Sequence, residues 1–407
     1  MNKRISKVIA LLAVILVLVI ATDVVVIARS HRGGDTAVSE TVEGETTKKK
    51  GKKGEEETEA ETTTEAPSEV TLVAVGDNLI HDTLIEAGKQ DDGSYNYDSF
   101  YTEIKPYVEP ADIAIINQET ILGGDVREYS GYPMFNSPQE IGDATVNAGF
   151  DVFTCATNHA MDVFSKGIES ELNYFNTKQP QVVHLGLNSS EEEYNKITYY
   201  EKNNINFALL NYTYGTNGIS LPDDKPWIVN LLDKEKVTKD ITEARKNADV
   251  VIVFPHWGEE YNTGTISEQE EYVKLFSDLG VDIVIGTHPH VIEPVKWVTN
   301  ETTGQKMLVY YSLGNFISHQ RQLETLIGGM AEITVKKENG TISITNAKMA
   351  PVVTWYTSGG NGYRYKVYRL KDYTDDMASS HVRDFATPNQ FRGVYEEVID
   401  EEFRTDD

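Results

Sequence analysis

The chain of 407 residues is poor in sulfur and contains a single cysteine, Cys155. Disulfide bonds within the chain are therefore excluded as its stabilising cross-links. Basic residues are also scarce, since 37 Lys and Arg stand against 64 Asp and Glu, for a formal net charge of -27. Because binding to a nucleic-acid backbone needs clustered basic side chains, we predict no nucleic-acid partner.

Long apolar runs are missing except near the N-terminus, where one run extends from Val8 to Ile27. About 20 apolar residues can span a bilayer, whereas the apolar core of a cleaved signal peptide is shorter, about 7–15 residues. The length favours an uncleaved signal anchor, and a cleaved signal peptide is the alternative. Residues 1–29 are thus predicted to be a cytoplasmic tip and a transmembrane helix, with the rest of the chain outside the cell.

The residues after the apolar run have almost nothing to bury. Residues 30–68 are mostly Thr, Glu, Lys, Gly and Ser, which predicts a disordered stalk. The folded domain is predicted to cover residues 69–349, and residues 350–407 form an extension packed on it or trailing from it. The expected location is the cell membrane, with a single pass and an extracellular C-terminal domain.

The folded part alternates short apolar runs with amphipathic ones, which predicts an α/β fold of central sheets flanked by helices. Capping boxes at Ser137 and Ser267 predict two helix starts, and Asn339-Gly340 predicts the turn of a closing hairpin. The main predicted strands are Val70–Val75, Ala111–Ile116, Phe150–Ala156, Asn206–Leu210, Asp249–Phe254, Val281–Ile285, Met307–Tyr311, Met330–Lys336 and Thr341–Met349.

Polar side chains follow one predicted strand after another. They include five of the nine histidines of the chain. If the strands are neighbours in α/β layers, these side chains gather along one rim. The residues are Asp77, His81, Asn117, Glu119, Asn158, His159, His256, His288 and His290.

Imidazole, carboxylate and amide groups form a mixed nitrogen and oxygen set, which suits Mn, Zn or Fe. The set is large enough for two divalent ions that share a carboxylate, but a single ion or none is also compatible with it. Alone, His288 and His290 would equally fit a pair of loop histidines without a ligand. Cys155 falls inside a predicted strand, where a small buried thiol is expected.

Six motifs in this order resemble the CapA/PgsA family of poly-γ-glutamate capsule synthesis proteins, within the calcineurin-like metallophosphoesterase superfamily. The motifs are GDNLIH, NQET, ATNHAMD, HWGEEY, GTHPHVIEP and YSLGNF, and the match runs from about Val70 to Met349. The resemblance implies a layered, metallophosphatase-like sandwich. It also implies a membrane-anchored protein with an extracellular domain that acts in making or exporting poly-γ-glutamate.

By the same resemblance, Asp77 and His290 would hold one metal ion, and Asn158, His256 and His288 the other. His159 would act as the general acid.

The chain departs from the superfamily pattern at two positions. Glu119 stands where the superfamily usually has a bridging aspartate, and His81 follows Asp77 by four residues instead of two. Glu119 is therefore a metal ligand in this prediction, while His81 is a ligand, a substrate contact or neither.

Four further residues are predicted to support the site. Asp162 would assist His159 in catalysis. Glu260 either orients His256 or caps a surface turn. Asn117 and Asn315 would lie in a second shell or contact substrate.

Two hypotheses about function remain. The first is a metal-dependent hydrolase that cleaves a phosphoester or an amide. The second is a non-catalytic assembly or polymer-binding factor that keeps the fold. In both, the expected partners are membrane polymer-synthase or export components, together with poly-γ-glutamate or another cell-envelope polymer.

Overall fold

The computed structural model describes residues 67–360 and 362–406. The predicted transmembrane helix, and all but the last two residues of the predicted stalk, lie outside these residues. Within them, no helix is both long and apolar enough to cross a membrane.

In this described part, fourteen strands form two sheets. The strands of the first sheet are β1 Ser68–Asn78, β2 Ile113–Asn117, β3 Val152–Thr154, β4 Val183–Leu185, β11 Asn315–Ile317, β12 Ile327–Glu338, β13 Thr341–Gly359 and β14 Gly362–Arg369. The strands of the second sheet are β5 Thr198–Lys202, β6 Ile205–Thr213, β7 Val250–His256, β8 Ile283–Ile285, β9 Val295–Thr299 and β10 Lys306–Tyr310.

Helices connect many of these strands. They are α1 Asp82–Gly88, α2 Asp98–Tyr101, α3 Lys105–Val108, α4 Glu140–Asn147, α5 Phe164–Lys178, α6 Glu191–Tyr194, α7 Lys234–Ala244, α8 Ser267–Asp278, α9 Asp375–Ser380 and α10 Pro388–Val398.

Each sheet contains a block of parallel strands. The first has the order β14-β13-β12-β1-β2-β3-β4, in which β1 to β4 are parallel and β11 pairs with β1. The second has the order β5-β6-β7-β8-β10-β9, with β6, β7, β8 and β10 parallel. Parallel strands bring their carboxyl ends to one edge of their sheet, where ligand sites form in open α/β sheets.

The central strands of the second sheet, β6, β7, β8 and β10, are buried on both faces. On β6, Phe207 and Leu209 join the core that includes the first sheet. The alternating residues Ala208 and Leu210 join a second core with apolar side chains of α7 and α8. This period of two is what a strand covered on both sides requires. The predicted α/β architecture of sheets flanked by helices is confirmed.

The predicted closing hairpin agrees with the structure, whereas the predicted domain boundary does not. The hairpin with Asn339-Gly340 at its turn forms between β12 and β13, where Glu338 pairs with Thr341. The boundary predicted at residue 349 falls inside β13. That strand continues to Gly359 and pairs with β14, so the residues after 349 extend the first sheet.

Both predicted helix caps were wrong in detail. Helix α4 begins at Glu140 without a side-chain cap, and the hydroxyl of Ser137 instead donates to Thr120 Oγ1 at 2.9 Å. Helix α8 begins at Ser267, but its N-cap residue is Ile266 instead of Ser267, and Gln269 accepts the N–H of Ile266 at 2.9 Å. At Ser137, a buried hydroxyl 17 residues earlier in the chain replaces the contact that would cap the helix. At the start of α8, Gln269 takes the place of the predicted cap.

Candidate metal centre

The predicted rim exists, and both sheets contribute to it. Asp77 lies near the end of β1, and Glu119 lies two residues beyond β2. From the second sheet, His256 ends β7, and His288 and His290 follow β8. All five side chains are buried.

The first group of potential ligands consists of Glu119, His256 and His288, which offer ligand atoms within 4.8 Å of one another. His256 Nε2 lies 4.0 Å from Glu119 Oε1 and 2.9 Å from Asn158 Oδ1. The predicted set of Asn158, His256 and His288 is therefore brought together, with Glu119 beside it.

The second group consists of Asp77, Glu119 and His290, again with ligand atoms within 4.8 Å of one another. His290 Nδ1 lies 2.9 Å from Asp77 Oδ2 and 3.7 Å from Glu119 Oε2. Glu119 belongs to both groups, as a bridging carboxylate would.

The environment of Glu119 fits a bound cation. Its side chain is fully buried, and neither carboxylate oxygen has a hydrogen-bond partner. Burial, followed by the nearby charge of Asp77, raises the pKa of Glu119 well above its ordinary value. Buried carboxylates need hydrogen bonds, a counter-charge or a metal ion. The donor set and these two unpartnered oxygens therefore fit one or two divalent ions.

Burial favours the neutral form of two imidazoles of the site, His256 and His288, and this is the form that binds metal ions. Burial, reinforced by the other histidines, lowers the pKa of His256 well below its ordinary value. Burial also lowers the pKa of His288 to about 3. His288 Nδ1 is buried and has no hydrogen-bond partner.

The loop that carries His288 and His290 has an unusual backbone. Their φ angles are 103° and 63°, in a region that side chains rarely adopt. A Cβ on Gly286 would lie 2.0 Å from the carbonyl oxygen of Tyr311, so only glycine fits where the loop leaves β8. Strained residues persist where the surroundings hold them, often at functional sites.

Two asparagines hold the ligands of the two groups. Asn117 donates to Asp77 Oδ1 at 2.8 Å, and it accepts a hydrogen bond from Thr154 at 3.0 Å. This is the supporting position predicted for Asn117. Asn158 faces His256 with its oxygen, while its Nδ2 donates to Asn217 Oδ1 at 3.3 Å.

His159 and Asp162 form a buried pair beside the two groups. His159 Nδ1 lies 2.7 Å from Asp162 Oδ2, and the same oxygen accepts the N–H of Phe135 at 2.7 Å. The Phe135 ring packs edge-on against His159 with ring centres 4.6 Å apart. The partner predicted for His159 is therefore in contact with it.

Three predicted residues have other surroundings. His81 belongs to neither group of potential ligands. Its Nδ1 lies 3.2 Å from the carbonyl oxygen of Leu79. Glu260 is exposed, and it is not the partner of His256 that one hypothesis predicted. Asn315 pairs with Asp77 along the neighbouring strand, and its buried Oδ1 has no hydrogen-bond partner.

Thr287 takes the role that was predicted for Glu260. Its hydroxyl lies 2.9 Å from His256 Nδ1, which leaves Nε2 facing the site. Asn217 was also missed, although it follows β6 and its Nδ2 lies 3.4 Å from His159 Nδ1. Polar residues after strand ends were the available signal, but β6 extends three residues beyond its predicted end.

Two exposed tyrosines flank the site. The Tyr214 ring lies 4.7 Å from that of His288, and the Tyr261 ring lies 5.9 Å from that of His290. Neither was predicted. They place exposed aromatic rings next to two of the buried potential ligands.

Glu293 fastens the histidine loop to α8. Its Oε2 accepts from Gln269 at 2.7 Å, while Oε1 is buried without a partner. Burial raises the pKa of Glu293 to about 8, from an ordinary value of 4.5.

Ionising Glu293 is therefore expected to destabilise the native state as pH rises. The unfolded chain ionises this carboxyl first, so the native state holds more protons and stability falls with pH. Between pH 6.5 and 8, the loss from this residue is on the order of 1.5 kcal/mol. Denaturant unfolding of Glu293→Gln, compared with exposed Glu235→Gln, measures it. An equal pH dependence in both variants would contradict the assignment.

A cavity of about 380 Å³ lies elsewhere in the fold, lined by residues that include His184, Asn211 and Asp240. Its buried ions neutralise each other, because Lys236 Nζ lies 2.6 Å from Asp240 Oδ2. This cavity offers no open ligand set comparable with the rim.

Comparison with solved structures finds phosphatases and nucleotidases. A phosphatase from Mycoplasma pneumoniae has a TM-score of 0.42 and 15% identity, covering 71% of this chain and 95% of that one. The NAD nucleotidase of Haemophilus influenzae has a TM-score of 0.46 and 12% identity, covering 84% and 65%.

Sequence comparison is more specific. The PGA biosynthesis protein CapA of Bacillus subtilis is 35% identical over 211 residues, covering 50% of this chain and 53% of the relative. The capsule biosynthesis protein CapA of Bacillus anthracis is 27% identical over 281 residues, covering 67% and 65%. The matched part thus spans between about half and two thirds of these relatives.

The model of one protein family, described as bacterial capsule synthesis protein PGA_cap, matches residues 71–320. That range is more than half of the chain, and it contains both ligand groups and the His159–Asp162 pair. This chain belongs to the family of bacterial capsule synthesis proteins.

Proposed function

We propose that this protein is a membrane-anchored, extracellular hydrolase that depends on a divalent metal and acts in the synthesis or export of poly-γ-glutamate. The bond cleaved would be a phosphoester or an amide in the polymer or in a precursor of it. Mn, Zn or Fe would be the metal, as one or two ions.

One observation carries this proposal: Glu119 is buried, has no hydrogen-bond partner and is shared by two groups of potential ligands. Asp77 and His290 would hold an ion on one side of it, and His256 and His288 on the other. Asn158 would complete the second set through its Oδ1. Bound there, divalent ions supply positive charge and an activated water for hydrolysis near neutral pH.

His159 is suited to move a proton at the edge of this centre. Its Nδ1 is held by Asp162, so Nε2 is the nitrogen left to donate to a leaving oxygen or nitrogen. Asp162 is itself held by the N–H of Phe135, which keeps the ring orientation fixed. His159 belongs to neither ligand group, so proton transfer and metal binding are separable.

The names of the relatives support the choice of polymer, since one of them is a PGA biosynthesis protein. The apolar run of residues 8–27 supports the membrane anchor. Components that build or export the polymer in the membrane are the proposed partners.

His159→Gln is expected to lower kcat by about 100-fold or more, the usual range for a lost general acid. The full chain, purified without chelator, would be loaded with Mn or Zn. Product release would be followed from a phosphodiester and from γ-glutamyl oligomers. Metal content should stay at the parent level, because His159 is not a ligand.

The matched control is His184→Gln, on β4, where the imidazole ring stacks on Phe175. Equal turnover by parent and His159→Gln would contradict the role of His159. A metal-loaded parent that cleaves neither substrate class, yet binds the polymer, would replace the hydrolase with the non-catalytic polymer-binding factor.

A further inference from the structure

Two arginines without an acidic partner lie beside the candidate metal centre. Arg321 follows β11 and is exposed, and Arg383 follows α9 and is half-buried. Within the described residues, ion pairs engage Arg245 and Arg369, but neither Arg321 nor Arg383. We refer to Arg321 and Arg383 as the arginine pair.

Arg383 is positioned by a tyrosine that leaves most of its guanidinium available. Its Nε donates to Tyr356 Oη at 3.1 Å, and its backbone N–H donates to His381 Nδ1 at 2.9 Å. Tyr356 in turn donates to the carbonyl oxygen of Gln320 at 3.3 Å. No described residue accepts a hydrogen bond from the terminal nitrogens of Arg383, so these remain for a ligand.

Three aromatic rings lie near the arginine pair, and we refer to them as the aromatic floor: His319, Tyr356 and Tyr363. The His319 ring is 4.9 Å from that of Tyr356 and 4.8 Å from that of Tyr363. Burial, followed by the charges of Arg321 and Arg383, lowers the pKa of His319 to about 4. The floor is therefore neutral at physiological pH, and both positive charges lie close to it.

The side chains of Gln320 and Tyr261 lie between Arg321 and the candidate metal centre. Gln320, next to Arg321, donates from Nε2 to Tyr261 Oη at 3.2 Å. The Tyr261 ring lies 5.9 Å from that of His290. The backbone N–H of His319 donates to Nδ1 of His81, which belongs to neither ligand group, at 3.3 Å. A ligand held by the arginines would thus extend towards the buried ligands across Tyr261.

Two positive charges lie near His319 in a chain whose net charge is -27. Glu324 and Asp384 are the nearest acids in sequence. Both are exposed, and neither forms an ion pair with the arginine pair. A local positive patch overcomes the general repulsion that an acidic surface exerts on an anionic ligand. Arginine also pairs with carboxylates through two parallel hydrogen bonds.

We infer that the arginine pair is a subsite that binds carboxylates of an extended polycarboxylate chain, next to the candidate metal centre. It would hold one carboxylate of the chain while a neighbouring bond reaches the ligand groups. The choice of a polycarboxylate rests on the proposed function, because a guanidinium also accepts phosphate.

Replacing both arginines, as Arg321→Ala/Arg383→Ala, is expected to weaken binding of poly-γ-glutamate oligomers by about tenfold or more. Calorimetric titration of the full chain in detergent would measure it at low salt, where such contacts are least screened. The matched control is Lys178→Ala/Lys306→Ala. It removes the same charge at two exposed positions that form no ion pair in the described residues.

Parent-like affinity of the arginine double variant, or an equal loss in the lysine control, would overturn the subsite. Tighter binding of polyphosphate of matched charge than of poly-γ-glutamate would overturn the polycarboxylate assignment. Exposed Arg321→Ala alone should give part of the loss, which keeps the test valid if the double variant misfolds.

Titration in EDTA separates this inference from the proposed function. If the chain proves to hold no metal and to cleave nothing, the hydrolase proposal fails while arginine-dependent binding remains. If cleavage occurs but the arginine double variant binds oligomers as the parent does, only the subsite fails.

Discussion

Replacing His288 and His290 together with alanine is expected to abolish metal binding. The parent chain, purified without chelator or reconstituted with Mn or Zn, should hold one or two ions. The double variant should hold less than about a tenth of that, because each ligand group loses one imidazole. Elemental mass spectrometry of the full chain measures the content directly.

His184→Ala is the control for this experiment, because His184 lies on β4 and belongs to neither group. It should keep the parent metal content. Circular dichroism would establish that the double variant is folded. A parent chain that holds no metal even after reconstitution would remove the basis of the hydrolase proposal.

Glu119→Gln is expected to have two effects of opposite sign. In the presence of chelator near pH 7, the variant should be more stable than the parent by on the order of 3 kcal/mol, because the parent must keep a proton on a buried carboxyl that the unfolded chain ionises. With metal present, the order should reverse. The parent gains about 4.1 kcal/mol at a metal concentration about 1,000 times its Kd, which exceeds the deficit of about 3 kcal/mol, whereas the variant has lost the shared carboxylate.

The pH dependence provides a second measure of the same residue. Because the pKa of Glu119 is raised in the native state, the chelated parent should lose stability as pH rises above the ordinary range for glutamate. Glu119→Gln should lack that loss, and exposed Glu235→Gln should keep it. Denaturant unfolding in EDTA and in Mn would record both comparisons. A variant less stable than the parent in EDTA would mean that Glu119 has a structural partner instead.

The positions of the ligands could be predicted from sequence, because each ligand lies at or just after the end of a strand that a short run of neighbouring residues defines. Each ligand follows a short apolar strand, and neighbouring parallel strands end at the same edge. The sequence therefore placed Asp77, His256 and His290 on one rim before any pairing was known. Glu119 was included on the same basis, despite being longer than the expected aspartate.

The partners of the ligands could not be predicted in the same way. Thr287 reaches His256 because the chain after β8 forms an isolated bridge with the end of β7, 31 residues away. Glu260, four residues after His256, was one of two alternatives for the partner position and had no preference over a surface turn. The predicted helix cap at Ser137 was wrong for a similar reason, because its hydroxyl donates to the buried hydroxyl of Thr120.

The arginine pair could not be predicted from sequence, because neither arginine lies in any of the six motifs. His319 and His381 are not among the five histidines that follow a predicted strand, so no sequence pattern singles them out. They meet through Tyr356, whose ring lies 4.9 Å from that of His319 and 4.6 Å from that of His381. This contact depends on β13 running beyond residue 349, where the sequence prediction had placed a boundary.

The two ligand groups each draw on both sheets, and this has a consequence for the lifetime of the protein. Asp77 and His290 are 213 residues apart in the chain, so an ion between them would close a very long loop. Such a closure restricts the unfolded chain strongly and slows the openings that expose it to proteases. Metal supply would then set how long each molecule survives.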